Sequence, residues 1–386
     1  MKICAVVCEF NPFHNGHKYF LDKLKTLGYD HIIAIMSGNY VQRGEPAIMS
    51  KKARAEVALA LGVDLVIEIP TIWAVSNAQT YASAAVDIAN ALGCVDVLAF
   101  GSECGSVEKL NKILEAIKNP KFSEVLKEQL DLGVTFAKAR ETAVGFVCGD
   151  LDVKKILPES NNNLAVEYLS ALEKTGSKIK PITIKREREK FPSATEIRAL
   201  IKNKYLNIKN CVPKASFDII SNQMDYTANL HSGERAVLSH LRALTKESIL
   251  KLPDISEGIE NRVIKAVNSS SGLEEMLFKI KTKRYTMARI KRIILSSYLG
   301  ITKELQKSPL QYIRVLGLSE KGQEILKKAK FTAKLPIVYE YSQIKKLDGK
   351  AQKIFQKECA CTDLYSLFLS KVFPCGEEQK FKIIRR

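Results

Sequence analysis

Two histidines near the start of the chain, His14 and His17, have the residue type and spacing needed to bind a phosphate group. They follow an apolar, β-branched run at residues 3–8 that is typical of a buried strand, and Gly16 lies between them. Apolar residues spaced on one face over residues 19–27 then predict a helix. The free N–H groups at the start of a helix attract phosphate, and two imidazoles can add donors beside them. The sequence therefore predicts a phosphate site in a loop between a strand and a helix.

A single loop histidine would more often be an ordinary polar surface residue, but the order of elements here favours a function. His-x-Gly-His after a first buried strand resembles the signature of the HIGH-type nucleotidyltransferases and class I aminoacyl-tRNA synthetases. The resemblance implies that His14 and His17 are catalytic: they bind the phosphates of ATP and stabilise the charge that develops when the α-phosphate is attacked. It also implies that Gly16 lets the backbone approach the nucleotide, because glycine has no Cβ to clash.

The elements needed to position this loop are those of an α/β protein. Strand and helix patterns alternate over the first two hundred residues, which predicts a Rossmann-like, mostly parallel sheet covered on both faces. In such a sheet ligands bind beyond the carboxyl ends of the strands. Three turns lie at such ends: His14–His17, Ser37–Asn39 and Gly101–Glu103. The strands are predicted at residues 3–8, 31–36, 63–69, 95–100 and 179–184.

A second motif, Ser193-Ala194-Thr195-Glu196-Ile197-Arg198, follows the last of these strands. Ser193 and Glu196 have the spacing of a capping box, which is a purely structural alternative. Ser-x-Thr-x-Ile-Arg nevertheless resembles the second signature of the small-molecule adenylyltransferases, in which the hydroxyls and the arginine hold the outer phosphates. By contrast, Met49-Ser50-Lys51-Lys52 looks like the KMSKS loop of class I synthetases but follows the second strand. We interpret it as a helix cap and a solvated basic turn.

The charge of the chain indicates a polyanionic partner. Its 386 residues include 60 Lys and Arg against 42 Asp and Glu, a formal charge of +18, and nucleic acid is the first candidate. No apolar run approaches the roughly 20 residues of a membrane span, and the N-terminal apolar patch is too short for a signal peptide. An odd number of scattered cysteines, nine, predicts free thiols in the cytoplasm. Cys359, Cys361 and Cys375 have no accompanying histidine, so we predict no metal site there.

The chain changes character from about Asn203, where strand signals fade and helical patterns follow one another. We therefore predict a catalytic domain at 1–202 and a mostly helical, basic domain at 203–386. Seven basic residues and no acid occur between residues 279 and 292, together with Tyr285. Such a run is usually a solvated helix face, but Lys and Arg contact phosphates and aromatic rings stack on exposed bases. The predicted tRNA-binding residues are Lys279, Lys281, Lys283, Arg284, Arg289, Lys291 and Arg292.

Longer blocks of similar sequence narrow the choice of family. The sequence is similar to the tRNA(Met) cytidine acetate ligases over nearly its whole length, in NPFHNGH, SGNYVQRGEPAI, FGSE, NNNLAVEYL, TIKR, RYTMARIKRIILSSYLGI and YIRVLGL. The resemblance implies an enzyme, a ligase that activates acetate with ATP, carried with Mg²⁺, and acetylates N4 of the wobble cytidine of elongator tRNA(Met). Two alternatives remain open: a small-molecule adenylyltransferase, which needs no basic helical domain, and a non-catalytic RNA-binding protein on this fold.

The same resemblance implies an ATP site. Between Arg186 and Ser193 the chain has only EREKFP, where relatives carry a longer insert, so the role of Arg188 is open; Asn161 replaces a common proline. Acetate is ionised at pH 7, so its attack on phosphorus needs positioning and charge neutralisation rather than a general base. The predicted ATP-binding residues are Val7, Cys8, Glu9, Phe10, Asn11, Pro12, Phe13, His14, Asn15, Gly16, His17, Lys18, Tyr19, Phe20, Gly101, Asn162, Arg186, Ser193, Thr195 and Arg198.

Overall fold

The structure is a computed structural model, which describes residues 1–149, 156–187, 189–202, 207–223 and 226–386. Arg188, whose role the sequence left open, lies outside the described residues.

A sheet at the centre of the molecule contains the five predicted strands, which are β1 (Ile3–Cys8), β2 (His31–Ser37), β5 (Leu65–Ile69), β6 (Val97–Ser102) and β7 (Lys180–Lys185). Between β2 and β5 the chain forms a separate hairpin of β3 (Tyr40–Val41) and β4 (Glu45–Pro46). The five strands pair in parallel in the order β5-β2-β1-β6-β7, and β1 is buried between β2 and β6. The order reverses on either side of β1, so the crevice between the ends of β1 and β6 is the switch point at which open α/β sheets bind ligands.

Helices cover both faces of the sheet because their apolar sides pack on the buried, β-branched strands. After β6 the chain forms three consecutive helices, which are separated at residues 119 and 132–135. A further helix begins at Ser160, so Asn161 and Asn162 lie in its first turn. The helices are Asn15–Thr26, Lys51–Ala60, Thr71–Ala74, Ala78–Leu92, Val107–Lys118, Pro120–Asp131, Phe136–Cys148, Ser160–Lys174 and Ala194–Lys202.

The part after residue 202 is mostly helical, as predicted. The short 3₁₀ helices Asn207–Asn210 and Ser366–Phe368 accompany the α-helices. The α-helices are Lys214–Asn222, Glu234–Arg242, Lys246–Leu250, Ile259–Ser269, Leu273–Ile280, Met287–Leu299, Lys303–Gln306, Glu320–Thr332, Tyr341–Ile344, Gly349–Tyr365 and Glu377–Lys380.

The prediction that strands fade after Asn203 is wrong for three segments. β8 (Ile313–Leu318) is fully buried and pairs antiparallel with β5, while β9 (Ile337–Val338) and β10 (Ile384–Arg385) pair with β8. A short apolar run of six residues does not by itself distinguish a buried strand from a helix, which is why the pattern misled. The boundary at 202 stays a prediction, but the later part completes the same sheet.

Candidate active site at the carboxyl ends of the strands

His14 and His17 stack against each other at the start of the first helix. Their ring centroids are 3.8 Å apart and their planes differ by 29°. His14 is the N-cap residue: its Nδ1 accepts a 3.1 Å hydrogen bond from the Gly16 N–H, and Nδ1 of His17 accepts one of 3.2 Å from the His14 N–H. The pair thus forms a capping box, so the loop backbone itself fixes both rings.

Both imidazoles are neutral at pH 7. Burial, followed by the positive charges of Arg186 and Arg198, lowers the pKa of His14 to about 4. Burial, the neighbouring His14 and Arg186 hold the pKa of His17 well below its usual value. Since each Nδ1 accepts from a backbone N–H, each neutral ring carries its proton on Nε2. Each histidine therefore offers one N–H donor of the kind that a phosphate oxygen accepts.

Gly16 and two phenylalanines shape the space around the histidines. A Cβ on Gly16 would lie 2.9 Å from Cε1 of His14, so the glycine is required by the packing of that ring. The Phe10 and Phe13 rings, 4.6 Å apart, lie 5.1 Å and 5.4 Å from the ring of His17. The packing of His14 is therefore a structural reason for a glycine at this position, besides the predicted approach of a nucleotide.

The second motif is joined directly to the histidine loop. Arg198 donates hydrogen bonds from Nη1 to the Asn11 carbonyl oxygen at 2.8 Å and from Nη2 to Oγ1 of Thr195 at 3.1 Å. Ser193 and Glu196 do form the capping box that the sequence allowed, because the Ser193 N–H donates to Glu196 at 2.6 Å and Ser193 Oγ accepts from the Glu196 N–H. Arg198 and Thr195 therefore face the site, while Ser193 is already used in the helix cap.

Arg186 and Gly101 meet at the other side of the crevice. A Cβ on Gly101 would lie 3.3 Å from Cγ of Arg186, so the glycine leaves room for the arginine to cross the end of β6. The charge of Arg186 acts on both histidines, as the lowered pKa values of His14 and His17 show. The structure thus brings Arg186, Arg198 and the histidine pair together from three separate segments of the chain.

Asn162 is buried and organises the loop after β6. Its Oδ1 accepts from the N–H groups of Glu103 and Cys104 at 2.9 Å and 3.1 Å, and its Nδ2 donates to the Ile156 carbonyl at 2.9 Å. Asn161 donates to Glu103 at 2.6 Å. The side chain of Asn162 is committed to the backbone here, so any contribution to nucleotide binding would come through the position of this loop.

The other predicted ATP-binding residues lie on β1, in the loop or on the first helix. Cys8 is held in the sheet, and burial raises the pKa of its thiol well above the usual value. Glu9 accepts a 2.9 Å hydrogen bond from the Gln42 N–H. Asn15 donates to the Asn210 carbonyl, and Lys18 pairs with Asp22. The remaining residues lie around them and are half-buried or buried: Val7, Pro12, Tyr19 and Phe20.

Two supports of the loop were not predicted. Arg54 is fully buried and donates to the carbonyl oxygens of Glu9 at 2.5 Å, Ser37 at 3.2 Å, and Gly38, so it ties the ends of β1 and β2 together. The second support comes from beyond residue 202, where Ser216 donates to the Phe13 carbonyl at 2.8 Å. Neither contact has a local sequence signal, because both depend on residues that are distant along the chain.

Lys51 contradicts the interpretation of its segment as a solvated basic turn. Ser50 does cap the helix, but the ammonium of Lys51 is 3% exposed and lies 2.6 Å from both Glu68 and Glu378. Burial disfavours its charge, yet Glu378, Glu68 and Glu358 together raise the pKa of Lys51. Burial also raises the pKa of Glu68 to about 8, against the effect of Lys51. Lys52 is exposed, as expected for a solvated residue.

The predicted tRNA-binding residues divide into two groups. Four form ion pairs with acids outside the run: Lys279 with Glu275, one turn earlier on the same helix, Arg289 with Glu257, Lys291 with Glu45, and Arg292 with Asp254. The other three, Lys281, Lys283 and Arg284, are exposed, and within the described part of the chain none of them forms an ion pair. The acid-free run of the sequence is therefore only partly an unpaired positive surface.

Tyr285 does not have the exposure expected for stacking on a base. It is 5% exposed, and its hydroxyl donates to the Glu257 carbonyl at 2.6 Å.

The basic run is joined to the site through the β3–β4 hairpin (Tyr40–Val41 and Glu45–Pro46), which the sequence did not predict. A Cβ on Gly44 would lie 2.4 Å from the backbone nitrogen of Arg292, so the hairpin contacts the backbone of the helix Met287–Leu299.

Across the described residues, no group of three or more His, Cys, Asp and Glu side chains is placed to hold a metal ion. In the same residues no helix is both long and apolar enough to cross a membrane. All nine cysteines are free thiols.

Comparison with known proteins identifies the family. A family model described as HIGH Nucleotidyl Transferase matches residues 1–380. The chain is 40% identical to the tRNA(Met) cytidine acetate ligase of Caldanaerobacter subterraneus subsp. tengcongensis, with 95% of each chain covered, and 38% identical to that of Clostridium tetani, with both covered completely. The chain belongs to the tRNA(Met) cytidine acetate ligase family.

Solved structures agree with this membership. The chain is similar to Thermotoga maritima TmcAL bound with alpha-thio ATP, with a TM-score of 0.93, 35% identity and complete coverage of both chains. The apo form of that protein gives a TM-score of 0.92 at 33% identity, again with complete coverage of both chains. The family resemblance and the α/β nucleotidyltransferase fold predicted from the sequence are thereby confirmed.

Proposed function

We propose that this protein is an ATP-dependent acetate ligase that forms acetyl-adenylate and transfers the acetyl group to N4 of the wobble cytidine of elongator tRNA(Met). The observation that carries the proposal is the histidine pair, neutral and protonated on Nε2, beside Arg186 and Arg198 at the switch point of the sheet. Relatives that align over nearly the whole chain are named tRNA(Met) cytidine acetate ligases, and the similar Thermotoga maritima TmcAL was solved bound with alpha-thio ATP.

The first step is attack of an acetate oxygen on the α-phosphorus of ATP. A new P–O bond forms, the bond to the β-phosphate oxygen breaks, and diphosphate leaves with the electron pair. Acetate has no proton to lose, so the site needs donors rather than a base. The Nε2–H groups of His14 and His17, the helix N–H groups and the two arginines supply them, while Mg²⁺ arrives on the phosphates as part of the substrate.

The second step is acyl transfer to the RNA. The exocyclic N4 of cytidine attacks the acetyl carbon, the bond to the phosphate oxygen breaks, and AMP leaves while N4 loses one proton. The exocyclic amine of a cytosine ring is a poor nucleophile, which is why the acetyl group is first activated as a mixed anhydride. The donors that held the α-phosphate also stabilise AMP as a leaving group.

The RNA is bound by the positive surface of the later part of the chain. Lys281, Lys283 and Arg284 are exposed and supply charge that the nearby acids do not neutralise. A formal charge of +18 adds long-range attraction for a polyanion. Nine free thiols suit a reducing compartment, and we place the reaction in the cytoplasm.

The test is to incubate the protein with ATP, acetate and purified elongator tRNA(Met), and to analyse the nucleosides of the digested tRNA by mass spectrometry. We expect a cytidine nucleoside that is heavier by one acetyl group. It should form only when both ATP and acetate are present. A parallel ATP–pyrophosphate exchange assay isolates the first step. Acetate-dependent exchange without modified RNA would refute the RNA substrate, and no exchange would refute the ligase itself.

A further inference from the structure

A second cavity lies outside the proposed ATP site, with a volume of about 590 Å³. It opens between the start of the helix Lys51–Ala60, residues 223 and 226, and the last 25 residues of the chain. We propose that this cavity binds one unstacked nucleotide of the substrate RNA that flanks the reacting cytidine. The inference rests on the proposed function, since it assigns a further contact to the same RNA.

Aromatic rings form the walls of the cavity. Tyr226 and Phe373 stack with centroids 5.3 Å apart and planes at 18°, and the rings of Tyr365 and Phe381 also line the space. Phe373 is 37% exposed, although a phenylalanine normally gains stability from burial. Unstacked bases are recognised in this way, because every base has a face that stacks on an aromatic ring.

The floor of the cavity is polar and preformed. Asn39 Oδ1 accepts from the Lys51 N–H at 2.8 Å, and Asn39 Nδ2 donates to Thr362 Oγ1 at 3.3 Å. Thr362 in turn donates to Glu378 at 2.8 Å. Glu378 and Lys51 are both nearly inaccessible to solvent and form an ion pair at 2.6 Å. A rigid floor of this kind lowers the entropic cost of binding a planar ligand.

The rim supplies positive charge for a phosphate. Lys382 is exposed and, among the described residues, has no ion pair; Lys52 is 63% exposed and lies 3.9 Å from Glu56. The carboxylates at the cavity are engaged, since Glu378 pairs with Lys51, Glu377 pairs with Lys380, and Asp363 accepts from the Gly376 N–H at 2.9 Å. Aromatic walls with cations at the rim match a nucleotide better than an apolar ligand.

The nucleotide in this cavity is not the one that is acetylated. None of the described residues that line the cavity belongs to the histidine loop or to the second motif. Ile48 lies between the two, because its N–H donates to Oδ1 of Asn11 at 2.7 Å while Ser50 and Lys51 already face the cavity. A strand of RNA with its reactive base at the histidines must therefore place a different base here.

The test compares Phe373→Ala and Tyr226→Ala with a matched control, Phe331→Ala. The control removes an 88% exposed phenylalanine on the helix Glu320–Thr332. The measurements are tRNA affinity by filter binding, the KM for tRNA, and acetate-dependent ATP–pyrophosphate exchange. We expect the two cavity variants to weaken tRNA binding and raise its KM on the order of 10-fold, as for the loss of one stacking partner, with exchange unchanged. The control should match wild type.

A conservative variant reports contact directly. Phe373→Trp retains a stacking surface, and the chain's own Trp73 is buried, so the new indole should dominate quenching on addition of tRNA. We expect affinity near wild type and quenching by tRNA, with none from CMP or AMP at the same concentration. Quenching by free mononucleotides alone would overturn the assignment to RNA. Unchanged tRNA affinity in both alanine variants, or loss of exchange in them, would overturn the proposal.

The same binding data separate this inference from the proposed function. Wild type that binds tRNA without acetylating it would refute the proposed reaction, yet a loss of binding in the cavity variants would still support the nucleotide site. Wild type that binds no tRNA would overturn the nucleotide site, while acetate-dependent exchange would still support the adenylation step.

Discussion

Arg198 donates a 2.8 Å hydrogen bond to the carbonyl oxygen of Asn11, although the two residues are 187 positions apart. The bond joins the motif after the last parallel strand to the loop that carries His14 and His17. The guanidinium is thereby held beside the histidine pair, and its charge contributes to the low pKa of His14. The two motifs therefore form one candidate phosphate site.

Arg198 should discriminate between nucleotides by the number of their phosphates. We expect Arg198→Ala to weaken ATP binding by about 10- to 100-fold, the range for a hydrogen bond to a charged group, and to leave AMP binding nearly unchanged. Isothermal titration with ATP and AMP measures both. Glu196→Ala, which disturbs only the helix cap, is the matched control. Equal losses for ATP and AMP would show that the arginine only supports the loop.

The histidine donors should matter for the chemical step. Asparagine can replace His14 as an N-cap residue, so we expect His14→Asn and His17→Asn to keep the fold and to slow acetyl-adenylate formation by about 10²-fold or more. ATP–pyrophosphate exchange with acetate measures the rate, and circular dichroism checks the fold. Asp22→Ala, on the exposed face of the same helix, is the control. Near-normal exchange in either asparagine variant would exclude the proposed role.

The same histidines should make stability depend on pH. The folded protein keeps His14 neutral down to a pH of about 4, whereas the unfolded chain binds a proton below about 6.5. The unfolded state therefore binds more protons in this window, and stability falls as pH drops from 6.5 towards 4. Each ring contributes up to about 1.4 kcal/mol per pH unit. Urea unfolding at several pH values should show a shallower slope for the double variant His14→Asn with His17→Asn.

The basic run should separate RNA binding from adenylation. Neutralising Lys281, Lys283 and Arg284 is expected to weaken tRNA binding and to reduce the slope of log affinity against log salt by up to about three units, with exchange unchanged. Filter binding at several salt concentrations measures this. A control of equal charge is the neutralisation of Lys327, Lys330 and Lys334, which are exposed elsewhere. If both triple variants lose affinity equally, the attraction depends on net charge and not on this surface.

Lys51 and Lys52 are neighbours with opposite expected effects on stability. Lys51→Met would leave Glu68, Glu358 and Glu378 buried without their central cation, which should lower the free energy of unfolding by about 3–5 kcal/mol. Lys52→Met changes an exposed side chain and should stay within about 0.5 kcal/mol of wild type. Urea unfolding of both variants tests the pair. A mild effect of Lys51→Met would mean that the acids are neutralised by protonation.

Local patterns predicted most of the first half well. Each parallel strand was placed within two residues, because β-branched runs between Gly, Pro and Asn are strong local signals. The helix cap at Ser50 also agrees with the sequence. The assignment of ATP contacts to individual residues stays a prediction, and so does that of tRNA contacts.

Other features depend on contacts that no local pattern contains. β8 is a strand because it pairs with β5, some 250 residues earlier in the chain, and Arg54 is a support because two strand ends converge on it. Tyr285 and Lys51 have polar sequence neighbours yet are buried by distant acids and carbonyl groups. A window of neighbouring residues carries no information about such partners.

The sequence by itself determined the order of strands and helices, the histidine loop at the end of β1 and the family, because these depend on local propensity and on long matching blocks. Only the tertiary structure decided which charges are free. Lys51 is buried among three glutamates, Arg292 is paired with Asp254, and Arg198 is bound to Asn11. The physical reason is that the energy of a charge depends on its burial and on its neighbours in space, and folding brings those neighbours from distant parts of the chain.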